Sequence, residues 1–466
     1  MGRSVRPSRG QYAGFAILSP CLFTIMYSLH HPENRRLALA FEVVNTCSWS
    51  AVLGAPLMLV LKSLGASATV LGLAVAMLPL TGALQLGGAR LLPHYGYRSL
   101  MLRGWMARTV MAGLMAGVIL FSPYLGTTCA MWVFLLLLAG FTTLRGVASC
   151  AWLPWITQLV PEAQRGHYLA WVGALTQATL IVCGLSYAAI FAALPGPCGF
   201  AIVFGWGCLT GFAASWVMSR IPDAPIEAEG DLGCVPWQVM LSYRPFKLLL
   251  GCSLLFHIAL AALGLLWVPV LRDLYHQKDS LIAMLPVIAS STQLLLLPLL
   301  GPLVDRTGSR PFMLVSLLVW VLHAGLWAGL AASLLPMSWP ALIAIQVTAG
   351  IAGGALGLAS QRLLMGTVPA QGRSHFFAMY SVTAALGQGV APILWGLALD
   401  GLATWHLWTL NIHALIYLAA GLLLAAAALA CLRLSEPRAL GTVEFLRELF
   451  VHTPRRALAR WLNTSE

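Results

Sequence analysis

Three side chains combine reactive chemistry with an apolar setting. Arg145 sits in the apolar run at 128–152, with apolar neighbours for a turn on either side. Burying a guanidinium in hydrocarbon costs at least about 2.5–3.5 kcal/mol, so such an arginine should face a cavity and have a partner. Two roles fit it: contact with an anionic solute or a proton relay, or else a structural ion pair. Glu42 is a carboxylate inside the run at 37–61, and Asn45, Trp49 and Pro56 continue its face at helical spacing. A carboxyl group in that setting can take up a proton near neutral pH, and a neighbouring arginine opposes this. The other reading is an acid that reaches the membrane surface and pairs with loop arginines. His257, near the centre of the run at 246–271, could carry a proton, bind a polar solute, or simply donate to a backbone carbonyl. Gln85, Gln177, Gln293, Gln346 and Gln388, with Asn411 and His413, complete the deep polar set. Amides bind sugars or zwitterions, and they also hold helices together.

What is missing narrows the chemistry. The chain has no phosphate-cradling loop, no HExxH and no CxxC. No enzymatic activity, ATP hydrolysis, cofactor or metal site is expected. The net charge of +12 is spread over the ends of apolar runs and forms no patch, so no nucleic-acid partner is expected either. Of the 10 cysteines, Cys129 and Cys198 fall in loops read as lying on the same face, where a disulfide is conceivable and two free thiols are favoured.

The elements that hold these residues follow from composition. The 466 residues are 59% hydrophobic and 9% charged, against about 25% charged in ordinary soluble domains. This is a polytopic membrane protein. A spanning helix needs roughly 20 apolar residues. Twelve are predicted: 37–61, 67–90, 100–122, 128–152, 168–193, 198–219, 246–271, 279–302, 312–333, 338–362, 376–399 and 405–432.

The chain repeats itself. VPEAQRGHYLA at Val160 returns 208 residues later as VPAQGRSHFFA at Val368, placing Arg165 and Arg373 in equivalent turns between helices. LLPHYGYRSLML (from Leu91) returns as LVDRTGSRPFML (from Leu303) at an offset of 212. Two landmarks in the same order indicate two related halves. The organisation read from this is an extension over 1–35, a six-helix bundle over 36–219, a linker over 220–245, a second bundle over 246–433 and a tail over 434–466. Asp223, Glu227, Glu229 and Asp231 in the linker read as a solvated loop.

Lysine and arginine placement sets the expected orientation. With residue 36 cytoplasmic, Lys62, Arg272 and Lys278 lie outside, Arg145 lies within the membrane, and the other 23 of 27 are on or near the cytoplasmic side. Both termini are then cytoplasmic, in a multi-pass protein of the bacterial inner membrane. Residues 12–29 read as an interfacial or dispensable segment, a thirteenth span and a start at Met26 being the alternatives. In the tail, Phe445, Leu449 and Trp461 share turns with Arg447, Arg455, Arg456 and Arg460, the pattern of an amphipathic helix on headgroups or on a partner.

Six plus six helices, a central linker and GPLVDRTGSR between the eighth and ninth spans resemble the major facilitator superfamily. Gly301, Asp305, Arg306, Gly308 and Arg310 fit that family's loop signature, whereas Pro93 and His94 replace its Asp and Arg in the first half. Arg145 is similar to the family's helix 4 arginine, with Ser149 where a glycine is usual. Gly387, Gly389, Pro392 and Gly396 would let the eleventh helix pack closely and bend. The resemblance implies an all-α bundle of twelve helices in two pseudo-symmetric halves, with a site near the midplane between them and no cofactor. It further implies a monomeric secondary transporter in the lipid bilayer, proton-coupled or facilitative, for a small solute. Arg145 inclines that solute toward an anion or zwitterion. The candidate site is Arg145, Glu42, Asn45, His257, Gln177, Gln293, Gln346, Gln388 and Asn411. The candidate gating set is the loop signature with Arg165 and Arg373. A membrane scaffold or assembly factor of the same fold, without translocation, is the alternative.

Overall fold

The computed structural model describes residues 32–160, 162–225, 236–369, 373–403 and 410–434, with 406–407, 436 and 444. The N-terminal extension, most of the linker's acids and the amphipathic tail pattern lie outside the described residues. Twelve main helices follow in two sets of six. The first set is α1 (Pro32–Val52, continued by Ala55–Ser63), α2 (Ala68–Gly82), α3 (Tyr97–Leu120), α4 (Thr127–Ala148, continued by Trp152–Leu159), α5 (Glu162–Ala193) and α6 (Pro197–Arg220). The second is α7 (Arg244–Pro269), α8 (Asp279–Thr307), α9 (Ser309–Ala331), α10 (Trp339–Thr367), α11 (Arg373–Gly401) and α12 (Ile412–Leu432). A hairpin of β1 (His406–Leu407) and β2 (Leu410–Asn411) leads into α12.

Ten stretches among the described residues are long and apolar enough to cross a membrane. The other two helices have local reasons to fall short. α2 stops at Gly82 and resumes as a short helix, Gln85–Gly88, while Arg98, Arg103 and Arg108 lower the hydropathy of α3. Leu136, Leu295, Leu422 and Leu429 are each 65% exposed or more, a condition stable only against hydrocarbon.

Several boundaries differ from the sequence expectation. The turn at Val160 and Val368 is shorter than a polar link: both valines are extended and close the preceding helix. Arg165 then falls inside α5, and Arg373 is the first residue of α11. Glu162, Ala163 and Gln164 are good helix formers following a proline, which favours immediate re-entry into a helix. The last span starts at Ile412, later than expected, because Asn411 caps it: its Oδ1 accepts from Ala414 N–H at 2.9 Å. Cys129 and Cys198 are free and exposed in the first turns of α4 and α6.

The repeat is visible in the backbone. Gly96 and Gly308 precede α3 and α9 with φ of 77° and 88°, a conformation that penalises any residue with a Cβ. One carboxylate caps each helix that follows. Asp223 Oδ1 accepts from Arg98 N–H at 3.1 Å, and Glu436 accepts from Ser309 N–H and Arg310 N–H at 2.7–3.0 Å. Asp223 is therefore exposed, as a solvated linker acid should be, and in addition caps a helix. Its charge meets the positive end of the α3 dipole.

The halves meet along two seams, α2 with α11 and α5 with α8. On the face opposite Pro32 and Leu432, the first and last residues of the described helices, they are tied together; this is hereafter the far face and the other the terminal face. Gly72 rests against the Pro392 backbone and Gly396 against that of Ala68 and Thr69. Asp400 at the end of α11 accepts from Ala68 N–H, Thr69 N–H and the Thr69 hydroxyl at 2.6–2.9 Å. Lys62 pairs with Asp273 at 2.5 Å, and Arg272 donates to the Leu59 carbonyl at 2.7 Å. On the terminal side α2 and α11 part around a cavity of about 390 Å³.

Candidate functional site

The polar interior of the first half is built on α1, α3 and α4. Asn45 lies one turn beyond Glu42 on α1 and is buried. Its Oδ1 accepts from Arg108 Nη2 at 2.6 Å and from Trp105 Nε1 at 3.0 Å, both on α3. Glu42 is half-buried, and its Oε1 accepts from Trp152 Nε1 at 3.0 Å. The aromatic rings of Phe41, Trp105 and Trp152 pack together around this pair of contacts. The hydroxyl of Tyr168 on α5, within electrostatic reach of Glu42, is buried without a hydrogen-bond partner among the described residues.

Arg108 is the residue that sequence reading missed. The tally of lysines and arginines places it with the 23 on or near the cytoplasmic side. It is 1% exposed, halfway along α3, between the faces of Trp105 (4.2 Å) and Phe141 (5.3 Å). Its Nε and Nη1 have no hydrogen-bond partner among the described residues. Arg145 on α4 is close enough to repel it. Arg145 itself is half-buried, and no ion pair to it occurs among the described residues. Two guanidiniums thus share the interior of the first half, and no carboxylate among the described residues forms an ion pair with either. Such an interior attracts an anion.

The second half is different at the equivalent positions. At the offset of 212, Asn45 corresponds to His257 and Arg108 to Trp320. His257 is buried, with Nδ1 2.8 Å from the Ser253 carbonyl; Nδ1 carries the proton there, and Nε2 is left as an acceptor. Its Cβ faces Gly387 of α11, where a larger residue would crowd it. A second cavity, of about 340 Å³, opens among α7–α10 beside Trp267, Trp320, His323, Trp327 and Gln346. His323 is also buried, its Nδ1 3.0 Å from the Ile345 carbonyl.

The remaining sequence candidates scatter. Gln177 on α5 and Gln293 on α8 are half-buried, and Gln293 packs on Gly354. Gln388 is exposed, because it alternates with Gly387 and Gly389, the residues of α11 that face inward. Asn411 donates to the Ala331 carbonyl at 2.7 Å in addition to capping α12, so its side chain is committed to the end of the bundle. Of the gating set, Gly308 makes the turn and Arg310 donates to the Leu432 carbonyl at 2.7 Å, anchoring α9 to the end of α12. Gly301 lies within α8, as do Asp305 and Arg306, whose side chains, with those of Arg165 and Arg373, lie outside the described set.

The Major Facilitator Superfamily model matches residues 252–462, the half whose loop keeps Asp305, Arg306, Gly308 and Arg310. No curated protein matches the chain. Among solved structures, a mutant of the nucleoside transporter NupG is similar at a TM-score of 0.65 and 12% identity, over 86% of this chain and 100% of that one. A D-xylose-proton symporter is similar at 0.63 and 15%, over 87% and 99%. A POT family transporter solved in complex with a thioalcohol conjugated peptide is similar at 0.63 and 13%, over 86% and 96%. At these identities the likeness shows the fold. The chain carries the sequence pattern of the Major Facilitator Superfamily over residues 252–462 and shares the fold of these transporters across both halves.

Proposed function

We propose that this transmembrane transporter moves a small anionic or zwitterionic solute by rocking its two bundles about a midplane site on the first half. The observation that carries this reading is Arg145, an interior guanidinium without an ion-pair partner among the described residues, beside the buried Arg108. Either charge alone would be costly in hydrocarbon, and a bound anion offsets both. Glu42 is the coupling candidate: it lies on α1 one turn before Asn45, which contacts Arg108, and its described partner is a neutral indole. Protonated, it leaves both arginines to the solute; ionised, it competes for them. Symport of a proton with D-xylose in a protein of the same fold makes this coupling reasonable. The alternative is facilitated transport without a coupling ion.

In this reading the terminal face is cytoplasmic, the membrane is a bacterial inner membrane and the working unit is a monomer. The extension, two bundles, linker and tail keep the boundaries read from the sequence. The ties at Lys62, Arg272 and Asp400 then close the external face, and the seam between α2 and α11 opens inward. No specific observation supports a non-translocating scaffold. The test is uptake or counterflow in proteoliposomes across radiolabelled carboxylates, amino acids, nucleosides and sugars at pH 5.5 and 7.5. Saturable flux that Arg145→Ala abolishes supports the proposal, and flux unchanged by that substitution refutes it.

A further inference from the structure

The shape of the α2–α11 seam narrows the class of solute. Near the far face the two helices touch backbone to backbone, at Gly72 with Pro392 and Gly396 with Ala68. One level down, Gly389 meets the Leu80 side chain. Below that contact α2 ends at Gly82 and the cavity of about 390 Å³ begins, walled by Pro79, Ala83, Phe377, Ala378 and Val382. Gln85, Ser381 and Cys150 supply its polar groups. Apolar side chains beside it are exposed among the described residues: Leu84, just past α2, is 42% exposed, and on α11 Val382 is 36% and Leu386 51%. The opening between them therefore faces hydrocarbon.

This cavity adjoins the charged site. Gly146 of α4 is pressed against the Thr81 backbone of α2, and Cys150 reaches the cavity wall. Arg145 stands five residues before Cys150, about 7.5 Å along the helix axis. Within the described interior the guanidiniums belong to the first half, while the second half offers two histidines and indoles. A hydrophilic anion would find charge on one side only, and apolar walls with a lipid-facing slot on the other.

We infer that the solute is an amphiphile, with an anionic head held at Arg145 and an apolar body lying in the α2–α11 cavity, admitted sideways from the leaflet on the terminal face. This inference rests on the transport reading above. It makes the cavity the determinant of chain-length selectivity and Arg145 the determinant of charge selectivity.

The experiment uses the full chain in nanodiscs, with empty nanodiscs subtracted, and follows tryptophan fluorescence and thermal stability. The probes are acetate, octanoate, dodecanoate and hexadecanoate, with dodecanol as the uncharged counterpart. Binding should tighten by roughly tenfold or more with each pair of added methylenes up to the cavity's capacity, because each buried methylene adds to the transfer free energy. Dodecanol should bind much more weakly, and Arg145→Ala should reduce dodecanoate to the dodecanol level. Ala378→Trp, which fills the cavity, should flatten the chain-length series, and Ser381→Phe serves if Ala378→Trp does not fold. Equal binding of octanoate and hexadecanoate, or a cavity-filled variant that keeps the wild-type series, would overturn the inference. If short hydrophilic anions are bound and moved in an Arg145-dependent way without any chain-length effect, the amphiphile falls and the transport reading stands. If no probe or solute responds and Arg145→Ala matches the wild type, both fall.

Discussion

Arg108 donates to Asn45 Oδ1 at 2.6 Å, joining the middle of α3 to the middle of α1 inside the first bundle. The amide oxygen is the only hydrogen-bond acceptor the described residues give this guanidinium, whose other contacts are the faces of Trp105 and Phe141. A hydrogen bond to a charged group contributes about 1.5–3 kcal/mol. Asn45→Ala should therefore lower stability by about that amount. Arg108→Met, which removes the charge and keeps much of the volume, should cost less, since an apolar replacement of a buried ion is often near neutral. Denaturant unfolding in mixed micelles compares the two. Arg108→Met proving the more damaging would show that the charge has a partner stronger than Asn45.

The paired caps make a second prediction. Asp223→Ala and Glu436→Ala each expose a helix N-terminus after a glycine turn, at α3 and α9. Each should lose about 1 kcal/mol, the usual value of an N-cap. Glu436 contacts two backbone N–H groups and Asp223 one on its helix, so Glu436→Ala should be the more harmful. Thermal melts of both variants decide the order. Equal or reversed losses would mean the caps do not act locally.

Much of this architecture was legible in the sequence. The twelve helices follow from apolar runs, and the offset of 212 between Leu91 and Leu303 led directly to the equivalent turns at Gly96 and Gly308. The caps were not legible, because Asp223 and Glu436 act on residues 125 and 127 positions away, where no local pattern records them. The same holds for Arg108. Its depth could be counted along α3, but the tally of lysines and arginines places it on or near the cytoplasmic side. The shorter turns at Val160 and Val368 escaped because polar residues after a proline read equally well as loop or as first helical turn.

The ties on the far face should set the conformational equilibrium. Lys62–Asp273 joins the halves across partly exposed side chains, and such a pair contributes about 0–1 kcal/mol. Asp400 adds three hydrogen bonds to the start of α2. Lys62→Ala combined with Asp400→Ala should shift the population toward a far-face-open state. Spin labels at Ser63→Cys and His276→Cys, with Cys129 and Cys198 replaced, should report a longer distance than in the parent. An unchanged distance distribution would mean that helix packing alone holds this face shut.

Gly72 and Gly396 make that packing argument separately. A Cβ at either position would collide with the backbone of the opposite bundle, and backbone yields far less readily than a side chain. Gly72→Val should therefore hold the far face apart and stop flux while leaving the separate bundles folded. Retained circular dichroism with the longer spin-label distance is the expected result. Full flux in Gly72→Val would show that the far face does not need this contact to close.

The central claim is that the interior guanidinium of Arg145 binds the solute. A thermal-shift screen tests it most directly: the full chain in nanodiscs against carboxylates, amino acids, nucleosides, sugars and the acyl carboxylates named above, with Arg145→Ala in parallel. A ligand at 100 times its Kd stabilises the native state by about 2.7 kcal/mol, a shift easily resolved. At least one anionic class should raise Tm in the parent and leave Arg145→Ala unmoved. A ligand that stabilises both proteins equally would contradict the claim, because its binding would owe nothing to Arg145.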